Sequence, residues 1–298
     1  MEILQINKFG LLHDGERIFF SETDRLPYVF EEIKRLDHEV ILISGNGDTH
    51  VGFYASDDEL YKRSNEIFTN PPKNIRYWFA QNNITKKENI IPLPIGIQNN
   101  FGIPPWSTGY DWIDPNILTH IYEADTTVPT GDFYLNYCNR PGHRKKMTEL
   151  CLEYLNVTYD EYPVKYDVYI KGILNHEATF CPTGMAVDTF RLFEVLYCKR
   201  IPITVKVGTY GIDYSIDKED EVSWTGTPFC PPQENEYPIY TDLYSQLPVV
   251  MLENMDELKD AQHLKKLVEK QKNKEWDRNL LDFVFWKERI LKLKNQLK

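Results

Sequence analysis

Short apolar runs alternate with amphipathic stretches along most of this chain, and that rhythm constrains the fold more than any other feature. Strands joined through helices must run parallel, and parallel sheets need helices on their faces to bury both sides. Period-two or continuous apolar runs predict strands at Glu2–Ile6, Glu39–Ser44, Ile75–Ala80, Ile90–Pro94, Asp132–Cys138, Asp167–Ile170, Ala178–Cys181, Ile201–Val205 and Val249–Leu252. Helical spacing predicts helices over Ser21–Leu36, Asp57–Phe68, Arg144–Leu155 and Asp188–Lys199. Ser21 is the expected cap of the first, and Leu26, Val29, Ile33 and Leu36 its buried stripe. The end of the chain, Glu275–Leu297, carries Trp276, Leu280, Phe283, Val284, Ile290 and Leu291 at helical spacing, so it should pack. Glu219–Gln246 is proline-rich and polar and reads as loop.

The fold class is therefore α/β. A Pro-, Trp- and Asn-rich stretch between Pro94 and Pro129 interrupts the rhythm, which then restarts. This divides the chain into an N-terminal domain over residues 1–125, a second over 126–270 and a C-terminal helix, 271–298, packing back across both. In open parallel sheets ligands bind beyond the carboxyl ends of the strands, so two such units would enclose a cleft.

Charge and composition remove several function classes. Lys and Arg number 34 against 45 Asp and Glu, a net charge of −11 that repels a phosphate backbone or an anionic membrane, so no nucleic-acid partner is expected. No apolar run approaches a membrane span and the first residues do not form a signal peptide, which makes the cytoplasm the expected compartment. The five cysteines include no Cys-x-x-Cys pair, and the seven histidines show no metal-ligand spacing. No Asp-x-Asp ends an apolar strand, so no metal is expected at the site. The sequence also lacks a Gly-x-Ser-x-Gly elbow and a Gly-x-x-x-x-Gly-Lys phosphate loop.

Three segments carry candidate chemistry. Phe180–Ile203 reads strand, Gly184 loop, helix, strand, and a glycine loop opening a helix offers free N–H groups to a phosphate. Asp188, Arg191 and Glu194 recur every three residues along that helix, which suits a sugar-hydroxyl acceptor at Glu194, although a surface salt-bridge ladder is the commoner origin of such a bare pattern. Asn139–Lys146 is a basic patch at a strand-to-helix junction, where Arg140 and Arg144 are placed to neutralise a diphosphate; a solvated basic helix start accounts for it as well. Ile41–His50 is a strand running into a polar turn, but His50 stands where a dinucleotide fingerprint needs its third glycine. Trp106, Tyr110, Trp112 and Trp224 add aromatic faces on which a sugar could stack.

Gly184, Asp188, Thr189, Arg191, Glu194 and Leu196, followed by Ile201-Pro202-Ile203, resemble the donor-binding core of exostosin-like glycosyltransferases. Trp78–Asn82, Ile90–Ile97 and Tyr134–Arg144 are similar to other elements of that family, so the resemblance spans roughly residues 75–205. The compact members encoded by large algal DNA viruses, which act in host cytoplasm, are the most similar in character. Thr183, Phe190 and the pair Lys199-Arg200 depart from the Arg, His and Gly-Cys common in the family.

The resemblance implies a GT-B fold, two small Rossmann-like α/β/α domains facing a central cleft. It further implies transfer of a sugar from a nucleotide-diphosphate donor, a UDP-sugar before others and UDP-xylose among them, to a hydroxyl of an oligosaccharide or glycoprotein, with inversion and without a required cofactor. Thr183, Gly184, Asp188, Arg191 and Glu194 would then hold the nucleotide, with Glu194 on ribose or sugar hydroxyls, while Arg140 and Arg144 stabilise the leaving diphosphate. Inverting chemistry needs a base for the acceptor hydroxyl, and Asp48 is the first candidate and His50 the second; an ordinary turn explains both equally. A carbohydrate- or nucleotide-binding module without turnover remains an alternative, as does another α/β enzyme such as a sugar phosphatase.

Overall fold

The computed structural model describes residues 1–47, 71–97, 115–137, 143–183, 187–206 and 237–298. Two wholly parallel sheets carry these residues. The first has strands β1 (Ile18–Glu22), β2 (Val40–Gly45), β3 (Ile75–Ala80) and β4 (Ile90–Pro92), side by side in chain order. The second contains β5 (Gly131–Leu135), β6 (Val157–Tyr159), β7 (His176–Phe180), β8 (Ile201–Val205) and β9 (Val250–Leu252). Its spatial order is β6-β5-β7-β8-β9, so the winding reverses between β5 and β7. A reversal of this kind leaves a crevice between the loops that leave the two strands in opposite directions, at their carboxyl ends.

Seven α-helices are found among the described residues: α1 (Leu26–Ile33), α2 (Pro115–Ala124), α3 (His143–Tyr154), α4 (Tyr166–Leu174), α5 (Phe190–Tyr197), α6 (Ala261–Lys272) and α7 (Phe283–Lys294). On one face of the first sheet, Leu26, Phe30 and Ile33 of α1 cover Phe19, Leu42 and Trp78, with the Phe30 and Trp78 rings edge to face at 5.6 Å. Each such buried side chain contributes about 1.5–3 kcal/mol of apolar burial. The opposite face packs on Ile6 and Phe9 of the 3-10 helix Ile6–Leu12 and on Phe283, Trp286 and Ile290 of α7. That layer is continuous with the core of the second sheet. The predicted C-terminal helix thus packs, preceded by a 3-10 turn over Arg278–Leu281.

Four predicted elements are corrected. Glu2–Ile6 forms no sheet strand; Ile3 bridges Asp282 and Gln5 bridges Gly96, each singly, and helical turns begin at Ile6. Ser21 does not cap a helix, because it sits in β1 opposite Ser44 in the parallel ladder. The real start is set by Pro27, whose fixed φ suits the first helical turn. Asp167–Ile170 is helical, because Tyr166, Tyr169, Ile170 and Ile173 recur at helical spacing and are all buried. The segment read as loop to Gln246 ends in helical turns from Ile239 onward. The helix expected over Asp57–Phe68 lies outside the described residues.

Candidate functional site at the winding reversal

Polar side chains gather where the winding reverses. β7 ends at Phe180, and Thr183, three residues on, offers its carbonyl to two donors from the first turn of α3. His143 Nε2 lies 2.9 Å from that oxygen and Arg144 Nε donates to it at 3.0 Å. Burial is the chief reason that the His143 imidazole is drawn down to about 4, so it is neutral near pH 7, with the Thr183 bond opposing and the Arg144 charge assisting. α3 begins just past the carboxyl end of β5, and its N-terminus adds positive potential to that of Arg144.

A second group lies alongside. Tyr137, two residues beyond β5, is buried, and its ring lies 6.0 Å from the Arg191 guanidinium. The same guanidinium lies 5.4 Å from the Tyr169 ring, and the Tyr169 hydroxyl donates to Glu194 Oε2 at 2.9 Å. Glu194 belongs to α5, whose residues Leu192–Tyr197 are all buried, so this is no surface helix carrying a charge ladder. Burial pushes the Glu194 carboxyl above the ordinary range, against the opposing pull of Arg191 and Tyr169. No hydrogen bond from the described residues reaches its Oε1. A carboxylate with one oxygen fixed and the other unclaimed can accept a vicinal hydroxyl, and Arg191 and Arg144 supply charge for an anion beside it.

Asp188 takes a different place. It precedes α5 and is 3% exposed. Its Oδ2 accepts from the Ile95 N–H at 2.7 Å, its Oδ1 from the Tyr244 hydroxyl at 2.5 Å and from the Thr189 N–H at 3.1 Å. Its own N–H donates to Asn82 Oδ1 at 2.9 Å. Asn82 and Ile95 follow β3 and β4, so Asp188 ties the carboxyl end of the first sheet to the second. Its carboxylate is engaged by the protein, not by an open cleft.

The turn after β2 is also built. Gly45 passes so close to Ile6 and Gln81 that a Cβ would lie 2.5 Å from Ile6 Cγ1. The Asn46 N–H donates to Gln81 Oε1 at 2.8 Å, and Asn46 takes a left-handed φ of 57°. Asp48 and His50 follow directly but lie outside the described residues, as do Arg140, Gly184, Trp106, Tyr110, Trp112 and Trp224. Of the expected site residues, Arg144, Thr183, Arg191 and Glu194 are therefore brought to one place. His143, Tyr137 and Tyr169 join them without having been singled out. A strand over Asp167–Ile170 would not present Tyr169 here, and a lone His143 has no neighbour at metal-ligand spacing to mark it in the sequence.

Among the described residues no three His, Cys, Asp or Glu side chains form a group that could hold a metal ion, and no helix is long and apolar enough to cross a membrane. Neither the models of known protein families nor the curated proteins include a match to this sequence.

Proposed function

We propose that the protein is a glycosyltransferase of GT-B architecture that moves a sugar from a nucleotide-diphosphate donor, a UDP-sugar by preference, to a glycan hydroxyl. The observation that carries this reading is the Tyr169–Glu194–Arg191 group beside His143, Arg144 and Thr183, at the reversal between β5 and β7. Such crevices hold nucleotides. Glu194 accepts the ribose or donor-sugar hydroxyls through Oε1, and Arg191 and Arg144, with the start of α3, neutralise the charge that develops on the departing diphosphate. This requires no metal. The first sheet with its helices binds the acceptor, and a base from the turn after β2, Asp48 or His50, takes the hydroxyl proton as the oxygen attacks with inversion. The backbone at Lys199 also favours the resemblance, since its φ of 55° suits the glycine common there in exostosin-like enzymes.

Calorimetric titration with UDP, GDP and CMP, each with EDTA, tests the donor site. One diphosphate should bind, and Glu194→Gln should weaken it about tenfold or more, the loss of a charge-assisted hydrogen bond. Release of that nucleotide from its sugar should require an added glycan acceptor. Binding without any such release would favour a nucleotide-binding module without turnover, and no nucleotide binding by the folded protein would reject the transferase reading and leave the carbohydrate-binding module.

A further inference from the structure

Arg191 and Glu194 stand three residues apart on α5, a spacing at which an arginine and a glutamate ordinarily close into an ion pair. Here they do not close. Among the described residues no ion pair or hydrogen bond joins the two side chains, although Glu194 is buried and the nearby Arg191 charge draws its carboxyl down against that burial. With little water around it, a carboxylate would take so near a cation as its natural partner. Tyr169 stands between them in two ways. Its hydroxyl donates to Glu194 Oε2 at 2.9 Å, and the centre of its ring lies 5.4 Å from the Arg191 guanidinium. The Tyr137 ring attends the same guanidinium at 6.0 Å and is itself held from α3, where Thr148 Oγ1 donates to the Tyr137 hydroxyl at 3.1 Å.

Tyr169 can hold the two apart because it is fixed. It is wholly buried on α4, with the Tyr166 ring centre 5.9 Å away and that of Tyr134 6.5 Å away. A hydroxyl on such a ring does not follow a carboxylate that swings aside, so Glu194 would lose one bond in gaining another. Arg191, in turn, would give up its contact with two rings. The Arg191 charge therefore stays uncancelled by Glu194. Without the hydroxyl the balance reverses, since Oε2 becomes a buried acceptor without its donor and the guanidinium offers a fork that fits a carboxylate. We propose that Tyr169 is a positioning residue that keeps Glu194 and Arg191 from closing on each other, so that the carboxyl meets the ribose or sugar hydroxyls and the guanidinium meets the diphosphate. The consequence for binding rests on the nucleotide reading above; the separation of the two side chains does not.

Tyr169→Phe keeps the ring and removes only the hydroxyl, so the fold should be retained, which circular dichroism checks. Crystal structures of the ligand-free full chain, wild type and variant, are the first test. In the variant a Glu194 oxygen should lie within about 4 Å of an Arg191 nitrogen, and in wild type it should not. A variant in which Glu194 keeps its place overturns the proposal, whatever the protein binds. Calorimetric titration with UDP and GDP, each with EDTA, is the second test. Tyr169→Phe should weaken the nucleotide that wild type binds by roughly a hundredfold, the loss of both charge-assisted contacts. Adding Glu194→Gln to that variant should then tighten binding roughly tenfold, although the same change weakens wild type, because glutamine does not neutralise Arg191. A merely structural role for Tyr169 gives no such reversal, and a further loss in the double variant would overturn the proposal. Wild type that binds neither nucleotide would instead reject the nucleotide reading, and the role in binding with it, while the ligand-free structures still decide whether Tyr169 holds the pair apart.

Discussion

Asp188 holds a carboxyl group where water does not reach it. Burial raises its pKa to about 7, against the opposing pull of the Tyr244 hydroxyl and the Ile95 and Thr189 N–H groups. In the unfolded chain the same group titrates near 3.9. Between those values the folded protein keeps a proton that the unfolded chain has lost, so this group's contribution is full below about pH 4 and disappears as pH rises through 7. Asp188→Asn keeps a side-chain carbonyl in place and cannot ionise. Thermal melts of the variant should therefore show a shallower decline than wild type from pH 4 to 7. His143 acts in the opposite sense over part of that range: its depressed value makes it a source of stability that is lost as pH falls from about 6.5 through 4. The comparison is thus to be made between variant and wild type, not on either curve alone.

At the scale of elements, the end of α5 shows how a helix is stopped without glycine. The Arg200 N–H bonds to the Val195 carbonyl at 3.1 Å and the Lys199 N–H to that of Leu196 at 3.0 Å, the paired closure that requires a left-handed residue between helix and strand. Lys199 fills that position at φ 55°, with its ammonium 5.6 Å from the Tyr122 ring. Lys199→Gly should stay within about 1 kcal/mol of wild type, since relief of the left-handed strain offsets the lost cation–π contact. Lys199→Ile should cost about 1–2 kcal/mol, measured by denaturant unfolding. Gly172 in α4 makes a complementary case, because a Cβ there would overlap the buried Tyr134 ring. Alanine would gain about 0.5–1 kcal/mol of helix propensity and lose about 1–3 kcal/mol to overpacking, so Gly172→Ala should destabilise.

The same elements explain what could be read from the sequence. β2, β3, β7 and β8 are short apolar runs bounded by polar turns, and their spans follow from pattern alone. β6 is three residues long with none buried, too short to carry a periodic signal, whereas α6 does carry one, because Ala261, Leu264, Leu267 and Val268 recur at helical spacing on one face. A second signal lies beside α6: Asn254 and Glu257 form a capping box at the turn before it. The candidate site was half legible for a related reason. Arg144, Arg191 and Glu194 lie in one or two contiguous motifs, whereas Tyr169 reaches Glu194 from a separate helix and Tyr244 reaches Asp188 across 56 residues of sequence. Local spacing carries no information about contacts of that kind.

On the scale of the whole molecule, two sheets draw on one continuous apolar core. Ile3, Ile41 and Phe79 belong to the same cluster as Phe133, Phe180 and Ile203, with α7 packed into it. The halves should therefore unfold together, giving coincident transitions by tryptophan fluorescence and far-UV circular dichroism. Two separated transitions would mean that each sheet holds its own stability. Trp286 is 1% exposed, and its indole N–H donates to the Leu280 carbonyl at 3.1 Å. Trp286→Ala should cost about 3–5 kcal/mol and lower both probes' midpoints together.

The segment before the 3-10 helix Ile6–Leu12 is fastened by partners made late in synthesis. Ile3 bridges Asp282, the Glu2 carbonyl accepts from the Phe283 N–H at 2.9 Å, and the Leu4 N–H donates to the Tyr197 hydroxyl at 2.9 Å. At roughly 5–20 residues per second a ribosome takes on the order of fifteen to sixty seconds to pass from Glu2 to the last of these partners, Phe283. During that interval the face of the first sheet that α7 later covers has only its nearer neighbours to shield it. A nascent chain of this protein therefore emerges with its opening residues unmatched, and a chaperone that holds apolar surface would have its longest engagement there, ending when α7 leaves the exit tunnel.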